Sequence, residues 1–162
     1  MQALTKYFLE NSNIIGSPLC SACCACTDAA FLGAVDIHSY GQLILRPYAW
    51  TREDPPHEEQ LAAVGDGIRE AILSVHGKKF TSDNWYTGLY ESSGVASDWF
   101  HGDVASAQMG RRPYGFTIEL RPTTVVPGFQ LPPDEIIPSG EEVTAGLLYF
   151  ARAAIESPVS FP

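Results

Sequence analysis

A long amphipathic helix between short apolar segments limits the folds that this chain can adopt. The helix is predicted over residues 57–76, where apolar side chains recur at the 3.6-residue spacing that places them on one face. These side chains are Leu61, Val64, Ile68, Ile72 and Val75. Gly77 follows directly, and glycine is typical of the position just beyond a helix. A helix with one apolar face packs that face against another element, and the extended segments around it predict a sheet.

Extended segments are predicted at residues 34–38, 43–50 and 114–120, and a second helix is predicted near the end of the chain. That helix is expected to begin with a capping box, in which Ser139 is the N-cap residue and Glu142 the third helical residue. Residues 79–110 are predicted to be an irregular, packed segment because they are long and rich in aromatic residues. The order of elements predicts an α/β fold: a partial three-layer sandwich with a mixed, mostly parallel sheet and helices on its faces.

All four cysteines lie in one short segment, Cys20-Ser-Ala-Cys23-Cys24-Ala-Cys26. Cys-x-x-Cys spacings can bind a metal, but four ligands this close reach one tetrahedral centre only in a tight loop, and no second pair lies at a zinc-finger distance. The alternative is an insertion without metal or redox function. The sequences Asn13-Ile-Ile-Gly16 and Ala34-Val-Asp-Ile-His38 would join into one strand without the segment between them. We therefore interpret residues 17–33 as an insertion.

The net charge of the chain disfavours two classes of binding partner. The formal net charge is −9 at pH 7, which disfavours nucleic acid and anionic membrane as main partners. No apolar run is long enough to span a bilayer. The first ten residues are amphipathic and charged and lack the apolar core of a secretory signal, so no signal peptide is predicted in this sequence.

Two polar residues lie at the ends of predicted strands. His38 ends the first strand, where open α/β sheets place their ligands, and imidazole is a common zinc ligand. The alternative is a histidine that only hydrogen-bonds the backbone. Glu119 lies near the end of the last strand and faces away from the apolar side chains of Tyr114, Phe116 and Ile118. A carboxylate there is costly unless it is catalytic or paired, for example with Arg121.

Three motifs occur in order along the chain: His38-Ser-Tyr-Gly-Gln-Leu-Ile-Leu-Arg-Pro-Tyr48, then Leu89-Tyr90-Glu-Ser-Ser-Gly94 with Ser97-Asp-Trp99, and then Tyr114-Gly-Phe-Thr-Ile-Glu119-Leu-Arg121. Together they resemble the C-terminal portion of zinc metallocarboxypeptidases of the carboxypeptidase A/B type (peptidase family M14). The resemblance implies that residues 1–162 form the C-terminal part of a single domain of that type, interrupted at residues 17–33. It also implies an exopeptidase that releases C-terminal residues with a zinc-activated water.

The resemblance assigns a role to each motif. His38 corresponds to the third zinc ligand and Glu119 to the general base, whereas Tyr90 corresponds to the mobile tyrosine that closes over the substrate. Tyr40 and Phe129 correspond to substrate subsites. Ser97 lies at the base of the specificity pocket, where the branch that prefers basic residues has an aspartate. The uncharged Ser97 therefore implies a neutral, apolar or aromatic C-terminal side chain.

The chain departs from the family in one essential motif. The family's other two zinc ligands come from a His-x-x-Glu pair, and no such pair occurs here in the right context; His57 is followed three residues later by Gln60. One ligand alone does not retain zinc. The chain is therefore expected to be inactive alone. The alternative is a noncatalytic remnant that binds a peptide or another partner. The expected partner is a peptide or protein C-terminus, and the resemblance implies a monomer when complete, secreted or vacuolar.

Overall fold

A computed structural model describes residues 31–109 and 111–159. Four strands and five helices occur in these ranges. The strands are β1 (Gly33–Ser39), β2 (Leu43–Arg46), β3 (Thr81–Asn84) and β4 (Tyr114–Leu120). The helices are α1 (Glu58–His76), α2 (Trp85–Gly88), α3 (Ala96–His101), α4 (Asp103–Met109) and α5 (Pro133–Glu156).

The strands form one mixed sheet in the order β1-β4-β2-β3. β1 pairs with β4 in parallel and β2 pairs with β3 in parallel, whereas β2 and β4 are antiparallel. Two of the three pairings are therefore parallel, which confirms the predicted mixed, mostly parallel sheet. β1 and β3 are the edge strands among the described residues.

The main core lies between one face of the sheet and the two long helices. Tyr114, Phe116 and Ile118 alternate along β4 and are fully or almost fully buried, as their period-2 spacing predicts. The apolar face of α1 packs over them together with Phe150 of α5. Each fully buried side chain of this size contributes about 1.5–3 kcal/mol to folding, so this face largely determines the register of both helices.

The short helix α3 packs against the opposite face of β4. Gly115 permits the approach, because a Cβ atom at this position would lie 2.3 Å from the backbone oxygen of Ser97. A second, smaller apolar cluster consists of Leu45, Ala49 and Trp85. Helices therefore cover both faces of the sheet, as the three-layer prediction requires.

The predicted helix at residues 57–76 is confirmed, and it begins at Glu58. Its end is also as predicted: Gly77 adopts a left-handed conformation and its N–H donates to the backbone oxygen of Leu73. Residues 79–110 are not irregular, however, because they contain β3 and three short helices. β3 escaped prediction because Thr-Ser-Asp-Asn lacks apolar alternation, and its pairing with β2 compensates for its low strand propensity.

The predicted capping box of the last helix is wrong. α5 begins seven residues earlier, at Pro133, and a proline suits the first helical position because that N–H has no helical acceptor. Ser139 and Glu142 instead lie inside the helix and are buried. Glu142 receives hydrogen bonds from Arg121, a tertiary contact that local spacing does not reveal.

Two expectations concern residues outside the described ranges: the four cysteines and most of the proposed insertion at residues 17–33. None of the described helices combines the length and apolarity needed to cross a bilayer.

Candidate active site

His38 and Glu119 lie side by side at one edge of the sheet. They are paired positions in the parallel register of β1 and β4, each one residue before its strand ends. Parallel strands bring their carboxyl ends to the same edge, which is where open α/β sheets bind ligands. The fold thus brings together the two residues that the sequence singled out separately.

Glu119 carries a buried oxygen that has no partner. The residue is half-buried, and its Oε2 atom makes no hydrogen bond. Burial raises the pKa of this carboxyl; His38 opposes the shift and Asp36 adds to it. Arg121 does not pair with Glu119, because its guanidinium contacts Glu142 and Glu135. Of the two interpretations of Glu119, the structural ion pair with Arg121 is therefore wrong.

His38 is held by a carboxylate on its own strand. Its Nε2 atom lies 2.8 Å from Oδ2 of Asp36, and both side chains are about half exposed. Asp36 and His38 are two residues apart, so they project from the same face of β1. Asp36 was missed as a site residue, although this spacing was the signal that could have identified it.

The described residues do not fit a zinc ion. In residues 31–109 and 111–159, no group of three or more His, Cys, Asp or Glu side chains is arranged to hold a metal. A catalytic zinc site needs three protein ligands, and His38 is already bound to Asp36. This part of the chain supplies at most a fraction of the family's ligand set.

Tyr40 and Phe129 form an aromatic pair beside this edge. Their ring centroids are 4.9 Å apart at an interplanar angle of 76°. Gly128, at φ 60, positions Phe129: a Cβ at Gly128 would lie 2.8 Å from the backbone oxygen of Val125. Phe129 is 79% exposed, so the pair presents an apolar surface to solvent. The structure thus brings two of the predicted subsite residues together.

Tyr90 lies on the surface, 63% exposed, in the segment between α2 and α3. The segment is anchored nearby, because the N–H of Ser92 donates to the backbone oxygen of Ala49 at 2.9 Å. Among the described residues, the Tyr90 side chain makes no hydrogen bond or ring contact with the other predicted site residues. Its role as a mobile tyrosine remains a prediction.

Ser97, in α3, is fully buried. Its Oγ atom has no hydrogen-bond partner, and neither do Oγ1 of the buried Thr117 and Nε1 of Trp85. Thr117 follows Gly115 on the face of β4 that α3 covers, and it pairs with Leu45 of the small apolar cluster. Ser97 itself is uncharged, and the buried hydroxyl groups show that this part of the interior is not wholly apolar.

Asp98, next to Ser97, has a structural role. Its carboxylate accepts from the N–H of Ala49, with the two oxygens at 3.0 and 3.1 Å. Burial raises the pKa of Asp98 to about 6, and the hydrogen bond from Ala49 opposes the shift. Asp98 also lines a cavity of about 340 Å³ with Tyr48, Trp50 and Asp103; neither His38 nor Glu119 borders it.

Comparison with known proteins identifies the fold and the motifs together. The sequence model described as zinc carboxypeptidase matches residues 12–146. The chain belongs to the zinc carboxypeptidase family. Carboxypeptidase A1 of Mus musculus is 36% identical over 124 residues, 76% of this chain and 28% of that protein. The zinc carboxypeptidase of Simulium vittatum is 37% identical over 105 residues, 65% of this chain and 33% of that protein.

Solved carboxypeptidase structures share the fold. Carboxypeptidase A from Helicoverpa armigera superposes with a TM-score of 0.64 at 32% identity, over 76% of this chain and 30% of that one. Bovine thrombin-activatable fibrinolysis inhibitor, in complex with tick carboxypeptidase inhibitor, gives a TM-score of 0.67 at 26% identity, over 76% of this chain and 40% of that one. The chain thus spans about a third of the length of the curated relatives it matches, or less.

Proposed function

We propose that this protein contributes the proton-transfer and substrate-facing part of a carboxypeptidase site. The observation that carries the proposal is the pairing of His38 with Glu119 at one sheet edge, with Glu119 Oε2 buried and unpartnered. A buried carboxylate without a partner is costly, and it is retained most readily where it has a chemical task. The proposed substrate is the C-terminal residue of a peptide or protein.

Glu119 is suited to move a proton. Burial raises the pKa of its carboxyl, which makes the carboxylate a better proton acceptor than an exposed glutamate. The rigid strand holds the group in place, since β4 is hydrogen-bonded on both sides. In peptide hydrolysis, Glu119 would take a proton from the attacking water and deliver it to the leaving amine.

The aromatic residues have a binding role in this proposal. Tyr40 and Phe129 offer an exposed apolar surface for the peptide, and Tyr90 covers its terminal residue. Ser97 itself lacks a charge that would attract a basic side chain, which supports a preference for neutral, apolar or aromatic C-terminal residues. Secretion or storage in a vacuole is proposed from family membership alone.

Because the described residues do not fit zinc, we propose that the chain alone does not hydrolyse peptides. To test the role of Glu119, the chain is joined to the part of mouse carboxypeptidase A1 that it does not span. The assay is release of the terminal residue from blocked dipeptides. Glu119→Gln is expected to lower kcat by about 10²- to 10⁴-fold with little change in KM. Glu91→Gln, an exposed glutamate in the Tyr90 segment, is the control. Equal rates for wild type and Glu119→Gln would refute the role.

A second candidate is peptide binding without hydrolysis. It is favoured by the exposed Tyr40–Phe129 pair, which needs no metal to contact an apolar side chain. Titration of the 162-residue chain with benzoyl-Gly-Phe, followed by fluorescence and NMR, distinguishes the two candidates. Binding that Phe129→Ala abolishes, without any turnover in the joined protein, supports the second candidate.

A further inference from the structure

Three polar side chains in the interior end in an atom that makes no hydrogen bond within the described ranges. These atoms are Nε1 of Trp85, Oγ of Ser97 and Oγ1 of Thr117. Trp85 is 6% exposed, and Ser97 and Thr117 are fully buried. Buried polar groups are normally hydrogen-bonded, so three exceptions in one part of a fold require an explanation.

Thr117 and Trp85 meet at the small apolar cluster. Thr117 and Leu45 are paired positions of the antiparallel strands β4 and β2, so their side chains project from the same face of the sheet. Leu45 packs with Trp85 and Ala49 in that cluster. The hydroxyl group of Thr117 and the indole of Trp85 therefore border the same side chain.

Ser97 joins this region from helix α3. A Cβ atom at Gly115 would lie 2.3 Å from the backbone oxygen of Ser97, so α3 covers the face of β4 from which Gly115 and Thr117 project. The next residue, Asp98, accepts hydrogen bonds from the N–H of Ala49 in the small apolar cluster. Ser97 thus lies beside both Thr117 and this cluster. We call Trp85, Ser97 and Thr117 the polar cluster.

The polar cluster is next to the candidate active site. Thr117 and Glu119 are two residues apart on β4, so their side chains project from the same face. Leu43, the position paired with Glu119, packs against the same apolar cluster that contains Trp85. A substrate side chain that starts beside Glu119 can therefore reach the polar cluster along one face of the sheet.

The hydrogen-bonding groups of the polar cluster match those of a carboxamide. The indole N–H of Trp85 only donates, whereas the hydroxyl groups of Ser97 and Thr117 both donate and accept. A carboxamide offers one carbonyl oxygen to the indole and two N–H groups to the hydroxyl oxygens. An apolar side chain would leave all three groups unpaired, and the carboxylate of Asp98 disfavours a second carboxylate close to Ser97.

We propose that Trp85, Ser97 and Thr117 select glutamine or asparagine as the C-terminal residue of the substrate. The proposal rests on the function proposed above, and it narrows the neutral side chains named there to those with a carboxamide. A site built to hydrogen-bond a substrate group discriminates against an analogue without that group, because its own buried polar atoms then stay unpaired.

The joined protein tests this selectivity with benzoyl-Gly-Gln, benzoyl-Gly-Met, benzoyl-Gly-Glu and benzoyl-Gly-Lys. The value of kcat/KM is expected to be at least about tenfold higher for glutamine than for methionine, which has a similar size and no amide. Ser97→Ala and Thr117→Val should each reduce this ratio about three- to tenfold. Ser106→Ala is the matched control and should leave the ratio unchanged. Ser106 is also fully buried, but its Oγ donates to the backbone oxygen of Gly102 at 2.8 Å.

Two measurements on the 162-residue chain do not depend on hydrolysis. The indole N–H resonance of Trp85, assigned with Trp85→Phe, should shift in NMR spectra with benzoyl-Gly-Gln and not with benzoyl-Gly-Met. Without peptide, Thr117→Val should raise Tm, because it removes an unpaired hydroxyl group, whereas Ser106→Ala should lower it.

These measurements separate the failure of the two proposals. A shift selective for glutamine supports the carboxamide site even when the joined protein shows no turnover, which would refute only the hydrolytic function. The carboxamide site is overturned when neither the chain nor the joined protein prefers glutamine to methionine, or when glutamate or lysine is preferred. A lower Tm for Thr117→Val would also overturn it, since the hydroxyl group would then already have a partner.

Discussion

Arg121 and Glu142 form a bidentate ion pair in the interior, with Nε donating to Oε2 at 2.9 Å and Nη2 donating to Oε1. Both side chains are almost completely buried, and Arg121 also contacts the more exposed Glu135. The pair joins the end of β4 to the middle of α5. Because Arg121 is engaged there, Glu119 remains unpaired two residues earlier on the strand, with its Oε2 atom buried.

Removing one member of this pair should be strongly destabilising. Glu142→Gln removes the buried one of the two carboxylates that contact Arg121 and leaves only the partly exposed Glu135, so we expect a loss of about 3–5 kcal/mol in the free energy of unfolding. Glu135→Gln serves as the matched control, with an expected loss of about 1 kcal/mol or less, because Glu135 is partly exposed. Urea denaturation of both variants measures the difference. Similar losses for the two would contradict a dominant role for Glu142.

Glu119 should reduce stability at neutral pH. Its pKa is raised in the folded state by burial, so the folded state favours the protonated carboxyl and loses stability as pH rises above the unfolded pKa, about 4.3. Glu119→Gln is therefore expected to raise Tm at pH 7 by roughly 2 °C and to have no such effect near pH 3.5. A lower Tm for the variant at pH 7 would indicate a stabilising partner for the carboxylate.

Asp98 should have a pH effect of the same sign in a defined window. Burial raises its pKa from 3.8 to about 6, so its contribution to stability is lost as pH rises from about 4 to 6. Asp98→Asn keeps an oxygen that accepts from Ala49. Its Tm should exceed that of the wild type by about 2 °C at pH 7, after allowance for solvent screening, and match it at pH 4. Asp66→Asn, on the exposed side of α1, should show no such pH dependence.

His101 should have the opposite pH dependence. The ring is fully buried, with Nδ1 2.9 Å from the oxygen of Pro113 and Nε2 3.0 Å from that of Pro56. Burial lowers its pKa; the two carbonyl contacts oppose the shift, and Arg112 and His57 add to it. The unfolded state then binds more protons, so stability falls as pH drops below about 6.5.

The variant His101→Phe tests this contribution. It removes a hydrogen-bonded imidazole and should cost about 1–3 kcal/mol at pH 7. The cost should shrink towards pH 5, because the variant no longer has the acid-sensitive group. Val104→Thr, an exposed and uncharged control on α4, should leave the pH profile unchanged. A constant cost across pH 5–7 would show that the titration of His101 is not linked to folding.

Local patterns predicted some parts of the molecule well. Helix α1 and strand β4 follow from their periodicities, because both bury one complete face and the periodicity of that face is visible in the sequence. The start of α5 was not predicted, because Ser139 and Glu142 have the sequence spacing of a capping box although the helix begins at Pro133. Sequence spacing alone could not show that Glu142 pairs with Arg121, which lies 21 residues away in the sequence.

The candidate site was likewise predicted from the sequence only in part. Family motifs identified His38 and Glu119, and the parallel pairing of β1 and β4 explains how they meet. Asp36 was overlooked, although its two-residue spacing from His38 on a predicted strand places both side chains on one face; their contact itself is seen only in the structure. The hydroxyl groups of Ser97 and Thr117 are buried without a hydrogen bond, which also depends on three-dimensional packing and is not visible in the sequence.

We propose that this chain carries the catalytic carboxylate, Glu119, but does not retain zinc by itself. The most direct test is zinc binding and hydrolysis by the 162-residue chain in which all four cysteines are replaced by serine, so that Cys20–Cys26 cannot bind the metal. We predict no stoichiometric zinc after dialysis and no release of C-terminal residues from blocked dipeptides. One equivalent of zinc that His38→Ala removes, together with turnover that Glu119→Gln abolishes, would contradict the account.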